Sequence, residues 1–360
     1  MRSLVQRIGL RHPLLQAPMA GVSTPRLAAA VSNAGALGAI AVGAATVETA
    51  RAMIQETRAA TSAPFQVNVF CHRPAHRDAA REGAWLRHLA PFFAEFGVSP
   101  PIALQEIYRS FCEDDGMLEL LLSERPSVVS FHFGLPSRTR IEALRAAGIT
   151  LLATATSERE ADAVVAAGID AVVAQGVEAG GHRGVFDPEA EDEGLDTLAL
   201  VRRLAGRLSV PVVAAGGMMR GEDIAAALAA GAEAAQLGTA FVPCPESAAD
   251  AAYRAMLASE RARNTALTAA ISGRPARGIV NRFHEEIDVP GRPAAADYPV
   301  AYDAGKALNA AATRAGSAEF APLWAGQGAR WSRVMPAQTL VEKLVEELDA
   351  AREGTSRLRP

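Results

Sequence analysis

The stretch Ala166-Ala167-Gly168-Ile169 closes an alanine-rich segment and opens an apolar one, and the same phrase recurs as Ala146-Ala147-Gly148-Ile149 and Ala229-Ala230-Gly231-Ala232. Glycine just past a helix can take the left-handed conformation without steric cost. The three copies therefore predict three helices that end on glycine and lead directly into strands. Repeated helix–strand units of this kind indicate a parallel sheet.

On both sides of these Ala-Ala-Gly segments, short runs rich in apolar and β-branched residues alternate with segments of helical period. The predicted strands are Leu14–Pro18, Gly38–Val42, Phe65–Phe70, Val128–Phe133, Thr150–Thr156, Ala171–Gln175, Val210–Ala215 and Ala234–Leu237. Predicted helices include Pro25–Asn33, Ser137–Ala147, Ser157–Ala167 and Gly221–Ala230. An open doubly wound sheet would give similar local signals, so the count of eight strands is what favours an α/β fold of the (β/α)8 TIM barrel type.

Two segments interrupt this alternation, one after the third strand and one after the eighth. We expect them to pack together as a mostly helical substrate-binding cap over the face where barrel active sites lie. The predicted domains are a barrel of residues 1–75, 125–245 and 320–345 and a cap of residues 76–124 and 246–319. Residues 346–360 are expected to form the end of the last helix and a tail.

Composition narrows the class of protein. The 360 residues are 49% hydrophobic and 21% charged, with a formal net charge of −4, which supplies no basic field for nucleic acid. Cys71, Cys112 and Cys244 are widely spaced, as expected for thiols in a reducing compartment rather than for metal ligands or nucleophiles. No signal peptide or membrane span is expected, so we predict a cytoplasmic protein and leave a homodimer open.

Two glycine-containing segments follow the seventh and eighth predicted strands, Ala214-Ala215-Gly216-Gly217-Met218 and Gln236-Leu237-Gly238-Thr239. Barrels commonly bind phosphate with these two loops, although both could be tight turns only. The chain has neither a Gly-x-Gly-x-x-Gly motif after a strand nor a Walker lysine motif. A phosphate site without those motifs favours FMN over a tightly bound dinucleotide.

Polar residues gather at the predicted strand ends, among them Gln16, Asn68 and Gln175. His182 follows Gly180-Gly181, where the backbone can approach a flat ring, and we predict that it is catalytic. His132 lies near the end of the fourth strand and is a second candidate. Surface or structural roles are expected for the remaining histidines, His12, His72, His76, His88 and His284.

The tyrosines are scarce, and all four fall in the predicted cap at positions 108, 253, 298 and 302. Tyr298, Tyr302 and Lys306 are spaced by four residues, so a helix begun at Pro299 would align them on one side. Such a row could be a surface face with solvated tips. Aimed at the barrel mouth, however, two phenols and an ammonium group would bind a small anion.

Taken together, these motifs make the sequence resemble the nitronate monooxygenases, formerly called 2-nitropropane dioxygenases, and specifically their class I branch. The resemblance covers essentially the whole chain, and Gln175 to His182 is its most specific string. It also rests on Gln16-Ala17-Pro18-Met19-Ala20-Gly21, Phe65-Gln66-Val67-Asn68-Val69-Phe70, Ser130-Phe131-His132-Phe133-Gly134, Gly216-Gly217, Gln236 to Thr239 and Trp324-Ala325-Gly326-Gln327-Gly328. The row Tyr298, Tyr302 and Lys306 is what favours class I.

The resemblance implies an FMN-dependent oxidation of alkyl nitronates, such as propionate 3-nitronate, with O2 to a carbonyl product and nitrite. It matches His182 to the catalytic histidine of the family. The implied cofactor contacts are Met19, Ala20, Gly21, Asn68, Gln175, Gly180, Gly217, Gln236, Leu237, Gly238 and Thr239. The implied substrate contacts are Tyr108, His132, Tyr253, Tyr298, Tyr302 and Lys306.

Two alternatives remain at this stage. Related FMN barrels that oxidise NAD(P)H and reduce a quinone or enoyl thioester carry versions of the same glycine-rich string. A flavin- or phosphate-binding protein without turnover would also share the loops. The first alternative needs space for a nicotinamide where the tyrosine–lysine row is expected, and steady NADH consumption without nitronate would favour it.

Overall fold

The computed structural model describes residues 3–356 and confirms the barrel. Its eight parallel strands follow the predicted ones closely, with a few residues trimmed from their ends. They are β1 Leu14–Gln16, β2 Gly38–Ala41, β3 Phe65–Phe70, β4 Val128–His132, β5 Thr150–Ala155, β6 Ala171–Gln175, β8 Val212–Ala215 and β9 Ala234–Leu237. Each strand pairs with its neighbours in order around the sheet, and β1 pairs with β9. A parallel bridge between Leu15 and Leu37 completes the ring between β1 and the start of β2.

Barrel helices lie between these strands. They are α2 Pro25–Asn33, α3 Val47–Ala60, α5 Asp115–Glu124, α6 Arg138–Ala146, α7 Glu158–Ala166, α8 Thr197–Ala205 and α9 Gly221–Ala229, with α12 Ala337–Ser356 after the second cap segment and the short α1 Leu4–Ile8 ahead of β1. The repeated Ala-Ala-Gly phrase does what the sequence predicts, because Gly148, Gly168 and Gly231 take positive φ values of 81°, 80° and 109°. The helices therefore stop where each next strand must begin.

The apolar residues form two barrel layers. Inside the ring, Leu15, Leu152 and Val213 are fully buried, and Leu4 of α1 packs with them. Outside the ring, the strands pack against the surrounding helices through residues such as Ile40 and Val129. The barrel interior is thus filled with side chains, and open space occurs at its carboxyl-terminal end.

The cap contains α4 Ala79–Ala94, α10 Ala251–Leu257, a π-helix Phe283–Ile287 and α11 Val300–Arg314, with strands β10 Thr265–Thr268 and β11 Ala276–Ile279. Trp85, Leu89 and Phe93 of α4 share a buried cluster with Val300 and Leu308 of α11, so the two cap segments pack together. Three short 3-10 helices, Thr239–Phe241, Glu260–Arg263 and Ala329–Trp331, complete the set of described elements.

Two features of the cap differ from the sequence-based expectation. Helix α5 packs into the barrel core through Met117, Leu120 and Leu121, so we assign it to the barrel rather than to the cap segment 76–124. The cap also carries an antiparallel sheet of β10, β11 and β7, where β7 is Gly181–His182. Residues 1, 2 and 357–360, which include the end of the predicted tail, lie outside the described range.

The contact between α9 and α12 fixes the last helix on the barrel. Gly221 opens α9 and donates its amide hydrogen to Glu347 Oε2 at 2.9 Å. A Cβ at position 221 would lie 2.2 Å from the backbone nitrogen of Leu348. The backbone of α12 therefore sits where any side chain at 221 would need to be.

We expect Gly221→Ala to lower the free energy of unfolding by about 1–3 kcal/mol, the usual cost of overpacking. Gly206→Ala is a matched control, because a Cβ there would meet nothing within 4 Å. Urea unfolding followed by far-UV circular dichroism measures both variants. Equal stabilities would show that α12 shifts without cost.

Candidate functional site

One cavity of about 760 Å³ opens at the carboxyl ends of the barrel strands, beneath the cap. This size lies in the range that binds cofactors and small ligands in proteins. Every residue proposed for the site from sequence lies on its wall. From the barrel these are Met19, Ala20, Gly21, Asn68, His132, Gln175, Gly180, His182, Gly217, Gln236, Leu237, Gly238 and Thr239. From the cap segments they are Tyr108, Tyr253, Tyr298, Tyr302 and Lys306.

His182 belongs to a strand that joins the barrel to the cap. Strand β7 pairs with β11, where His182 is opposite Ala276. Gly181 immediately before it has a φ of 76°, and a Cβ on Gly180 would lie 2.4 Å from the backbone nitrogen of Gly326. The two glycines thus let the loop pass between the barrel end and the segment around Gly326.

Aromatic rings surround the His182 imidazole. Its ring centroid lies 5.5 Å from that of Tyr298, 5.2 Å from Trp324 and 5.6 Å from Phe133. Burial lowers the pKa of His182 to about 3, with His132 and Arg274 acting in the same direction. The imidazole is therefore neutral at neutral pH.

The backbone carbonyl of His182 accepts two side-chain hydrogen bonds. Gln175 Nε2 donates to it at 3.0 Å, and His132 Nε2 lies 3.3 Å away. His132 Nδ1 lies 3.0 Å from Thr154 Oγ1, so both of its nitrogens are engaged by the protein. Burial lowers the pKa of His132 to about 4, which keeps the ring neutral. His132 therefore contacts the cavity mainly through ring carbon atoms, while Nε2 holds the His182 loop and Nδ1 contacts β5.

Three of the cap tyrosines form a cluster next to Lys306. The Tyr108 ring centroid lies 6.3 Å from Tyr298 and 6.0 Å from Tyr302. Lys306 Nζ lies 4.7 Å from the centre of the Tyr108 ring and 5.2 Å from that of Tyr302. Ring faces of this kind stabilise a cation. Partial burial lowers the pKa of Lys306 from its ordinary value, while Asp303 acts against that change.

Burial holds the phenols in their protonated form. It raises the pKa of Tyr108 to about 12 and shifts the pKa of Tyr298 and Tyr302 upward as well. Tyr253 is also shifted upward, and its hydroxyl donates to the carbonyl of Trp324. Tyr298 precedes a cis proline peptide, and helix α11 begins only at Val300. The predicted helical row therefore holds for Tyr302 and Lys306, whereas Tyr298 reaches the same cavity from outside the helix.

The two glycine loops present backbone donors to the other side of the cavity. The amide nitrogens of Gly217, Gly238 and Thr239 form no hydrogen bond with any residue from 3 to 356. Gly217 takes a φ of 67°, and Gly238 lies beside Ala17 and Met19. Free amides on two adjacent loops are the donors that a phosphate group requires. The wall chemistry thus fits a phosphate-bearing flat cofactor.

Sequence reasoning missed the roles of three residues around His182, namely Ser272, Arg274 and Trp324. Ser272 and Arg274 lie on the turn between β10 and β11, and Ser272 Oγ is 2.8 Å from His182 Nε2. His72, for which a surface or structural role was expected, is buried with its ring centroid 5.1 Å from that of Tyr298. Trp324 belongs to a motif that the resemblance used without giving it a role. A single serine or arginine in a cap loop has no sequence signal; only the fold brings it to the histidine.

The closed barrel, the free amides of its last two loops and the half-buried histidine at its mouth define a TIM-barrel protein with a ligand site at the carboxyl ends of its strands. A family profile described as nitronate monooxygenase matches residues 2–347. The chain belongs to the nitronate monooxygenase family.

Individual relatives agree with this assignment. The nitronate monooxygenase of Pseudomonas aeruginosa is 58% identical over 341 residues, which cover 95% of this chain and 97% of that protein. The one from Paraburkholderia phytofirmans is 56% identical and covers 96% of this chain and 95% of its own. Among solved structures, a nitroalkane oxidase from Streptomyces ansochromogenes has a TM-score of 0.90 at 44% identity, covering 97% of this chain and 99% of its own. FabK from Thermotoga maritima has a TM-score of 0.74 at 28% identity, with complete coverage of both chains.

Three histidines with lowered pKa values predict how the free energy of unfolding depends on pH. Burial lowers the pKa of His72 to about 4, and the pKa values of His132 and His182 are also depressed below the ordinary 6.5. Because the unfolded chain binds these protons first, stability is fully present above about pH 6.5 and falls as the pH drops toward 4.

We expect His72→Phe to reduce this acid sensitivity by up to about 1.4 kcal/mol per pH unit, the amount linked to one proton. The side chain of His72 is fully buried and contacts aromatic rings, so phenylalanine suits its surroundings. Urea unfolding at pH 7, 6 and 5 gives the slope for both proteins. Identical slopes would show that His72 titrates normally in the folded state.

Proposed function

We propose that this chain is an FMN-dependent nitronate monooxygenase that oxidises alkyl nitronates with O2 to a carbonyl compound and nitrite. The observation that carries the proposal is the placement of neutral His182 between two walls of one cavity, with free backbone amides on one side and the tyrosine–lysine cluster on the other. We propose propionate 3-nitronate as the substrate, because it pairs a nitronate with a carboxylate.

The proposed FMN site joins the glycine loops to the ends of the first strands. Gly217, Gly238 and Thr239 would hold the phosphate through their amides. Met19, Ala20 and Gly21 would lie along the ring system, and Asn68 would contribute a polar group at its edge. Bound there, FMN would supply the electron acceptor for the nitronate and the route by which electrons reach O2.

The proposed substrate site uses charge and hydrogen bonding on the cap side. Lys306 is the cationic residue on the described wall of the cavity, and the protonated phenols of Tyr108, Tyr298 and Tyr302 are hydrogen-bond donors. Donors of this kind suit the delocalised charge of a nitronate and the carboxylate of a carboxylated one. The surrounding rings of Phe133 and Trp324 limit water around the reacting carbon.

The proposed role of His182 depends on the form of the substrate. A neutral nitroalkane must lose its α-proton, and the neutral imidazole can accept it. A nitronate already lacks that proton, so His182 would only position it. Proton transfer would leave an imidazolium ion beside the new nitronate anion, and that pairing stabilises both charges in a buried cavity.

The first test is oxygen uptake by the purified protein, read together with its visible spectrum. We expect a flavin spectrum, nitrite release and oxygen consumption with propionate 3-nitronate in the absence of NADH. Steady NADH consumption without nitronate would instead favour an FMN-dependent NAD(P)H:quinone or enoyl-thioester reductase.

We expect His182→Asn to keep the flavin spectrum and to lower kcat/KM for neutral nitroalkanes by roughly 10²- to 10⁴-fold, the usual contribution of a general base. The effect on nitronates should be smaller, since they need no proton removed. Loss of the flavin from this variant would assign His182 a structural role instead.

We expect Lys306→Met to raise KM for carboxylated nitronates roughly 10- to 100-fold, because one charge-assisted hydrogen bond of about 1.5–3 kcal/mol is lost. Lys343→Met is a matched control: it is the other lysine of the chain and pairs with Glu346 on α12, away from the cavity. An equal rise for uncharged alkyl nitronates would exclude a carboxylate clamp.

A further inference from the structure

Ser272 is fully buried and lies against the catalytic candidate. Its Oγ is 2.8 Å from His182 Nε2, and it also contacts the backbone of Arg274. The serine lies on the turn from Ala269 to Pro275, which joins β10 to β11. Since β11 pairs with the strand of His182, the turn that carries Ser272 is attached directly to the strand of the histidine.

The turn itself is held rigidly. Gly273 donates its amide hydrogen to Ala269 O at 2.8 Å and has a φ of 90°. A Cβ at Gly273 would lie 2.6 Å from Ala296 O, so the turn packs directly on the segment that carries Tyr298. The Arg274 guanidinium donates to Val185 O at 2.7 Å and lies 4.7 Å from the centre of the Phe133 ring. Ser272 is therefore fixed in place from both sides.

The hydrogen bonds around Ser272 determine where each proton lies. The carbonyl of Arg274 is buried, and Ser272 Oγ at 3.1 Å is its donor within residues 3–356. A buried carbonyl without a donor is unfavourable, so the single hydroxyl hydrogen of Ser272 goes to Arg274 O. The serine oxygen then accepts from its other neighbours, the Arg274 amide at 3.3 Å and His182 Nε2.

An accepting serine oxygen requires that His182 Nε2 carry the hydrogen. The remaining lone pair is then on Nδ1, which forms no hydrogen bond in the described part of the chain. We propose that Ser272 is a positioning residue that fixes His182 as the Nε2–H tautomer and leaves Nδ1 as the atom that accepts the substrate proton. The second half of this assignment rests on the proposed function, since it needs a substrate with an acidic C–H bond.

The proton-transfer step is balanced without any further reactant. The C–H bond at the α-carbon of a neutral nitroalkane breaks, its electron pair delocalises into the nitro group, and the proton forms a bond with Nδ1. His182 becomes an imidazolium ion whose Nε2–H still points at Ser272 Oγ. A serine oxygen that already accepts from this nitrogen needs no rearrangement when the ring becomes charged.

The tautomer of His182 can be measured directly by ¹⁵N NMR of the FMN-loaded protein labelled at histidine. The wild type is compared with two variants at Ser272. We expect the wild-type His182 signals to be those of an Nε2–H imidazole at pH 7. In Ser272→Ala a mixture of tautomers should appear, and in Ser272→Thr, which keeps a hydroxyl, the Nε2–H form should return. If the wild-type protein shows the Nδ1–H form of His182, that measurement alone overturns the proposal.

Kinetics supply the second readout. We expect Ser272→Ala to lower the ratio of kcat/KM for a neutral nitroalkane to that for its nitronate roughly tenfold, as expected for loss of about one net hydrogen bond. Ser32→Ala is a control, because its buried hydroxyl bonds Pro64 O and the Gly38 amide outside the cavity and should change stability without changing the ratio. An unchanged ratio together with an unchanged tautomer in Ser272→Ala would overturn the assignment.

Different results would contradict the proposed nitronate oxidation and the proposed role of Ser272. A wild-type protein that consumes no oxygen with any nitronate contradicts the proposed function, whereas the tautomer measurement still decides what Ser272 does to His182. A wild-type protein that is active but holds the other tautomer contradicts only the role of Ser272.

Discussion

The site depends on the pair of hydrogen bonds that end on the carbonyl oxygen of His182. One comes from Gln175, the last residue of β6, and the other from His132, the last residue of β4. Because both donors are anchored in the barrel, the sheet holds the backbone of the His182 loop from the barrel side. The amide of Gln175 also accepts from the backbone of Gly184 at 2.7 Å, so it holds the loop on both sides of His182. These bonds use only the backbone of His182, and its imidazole lies on the wall of the cavity.

The cap uses the same loop in a different way. His182 is paired with β11, and the turn before that strand brings Ser272 and Arg274 behind the imidazole. His182 is therefore held by both the barrel and the cap. The buried guanidinium of Arg274 forms no ion pair among residues 3–356, and burial lowers its pKa to about 10, so it is still charged at neutral pH. This cation lies behind the rings of Phe133 and Tyr298 and opposes protonation of His72, His132 and His182.

Structural features that depend on residues close together in sequence could be predicted, whereas contacts between residues far apart in sequence could not. The strands and the Ala-Ala-Gly helix ends depend on residues a few positions apart, and they were predictable. The glycine loops and His182 carry compact local motifs, so the sequence could place them on one cavity. Ser272, 90 residues from His182, has no local pattern, because only the pairing of β7 with β11 brings the two together. The sequence analysis placed helix α5 in the cap because its sequence does not show which core it packs on.

Closure of the barrel affects the order in which its strand pairs can form during synthesis. Strand β1 needs β9 as a neighbour, and Leu14 is opposite Ala235, more than half the chain away. During synthesis from the N-terminus, one edge of β1 stays without its partner until β9 has emerged, while the neighbouring pairs from β2 to β6 can already form. An unpaired strand edge is a place where chains join wrongly, and long-range parallel pairing is slow. The shortness of β1, three residues, keeps that exposed edge small.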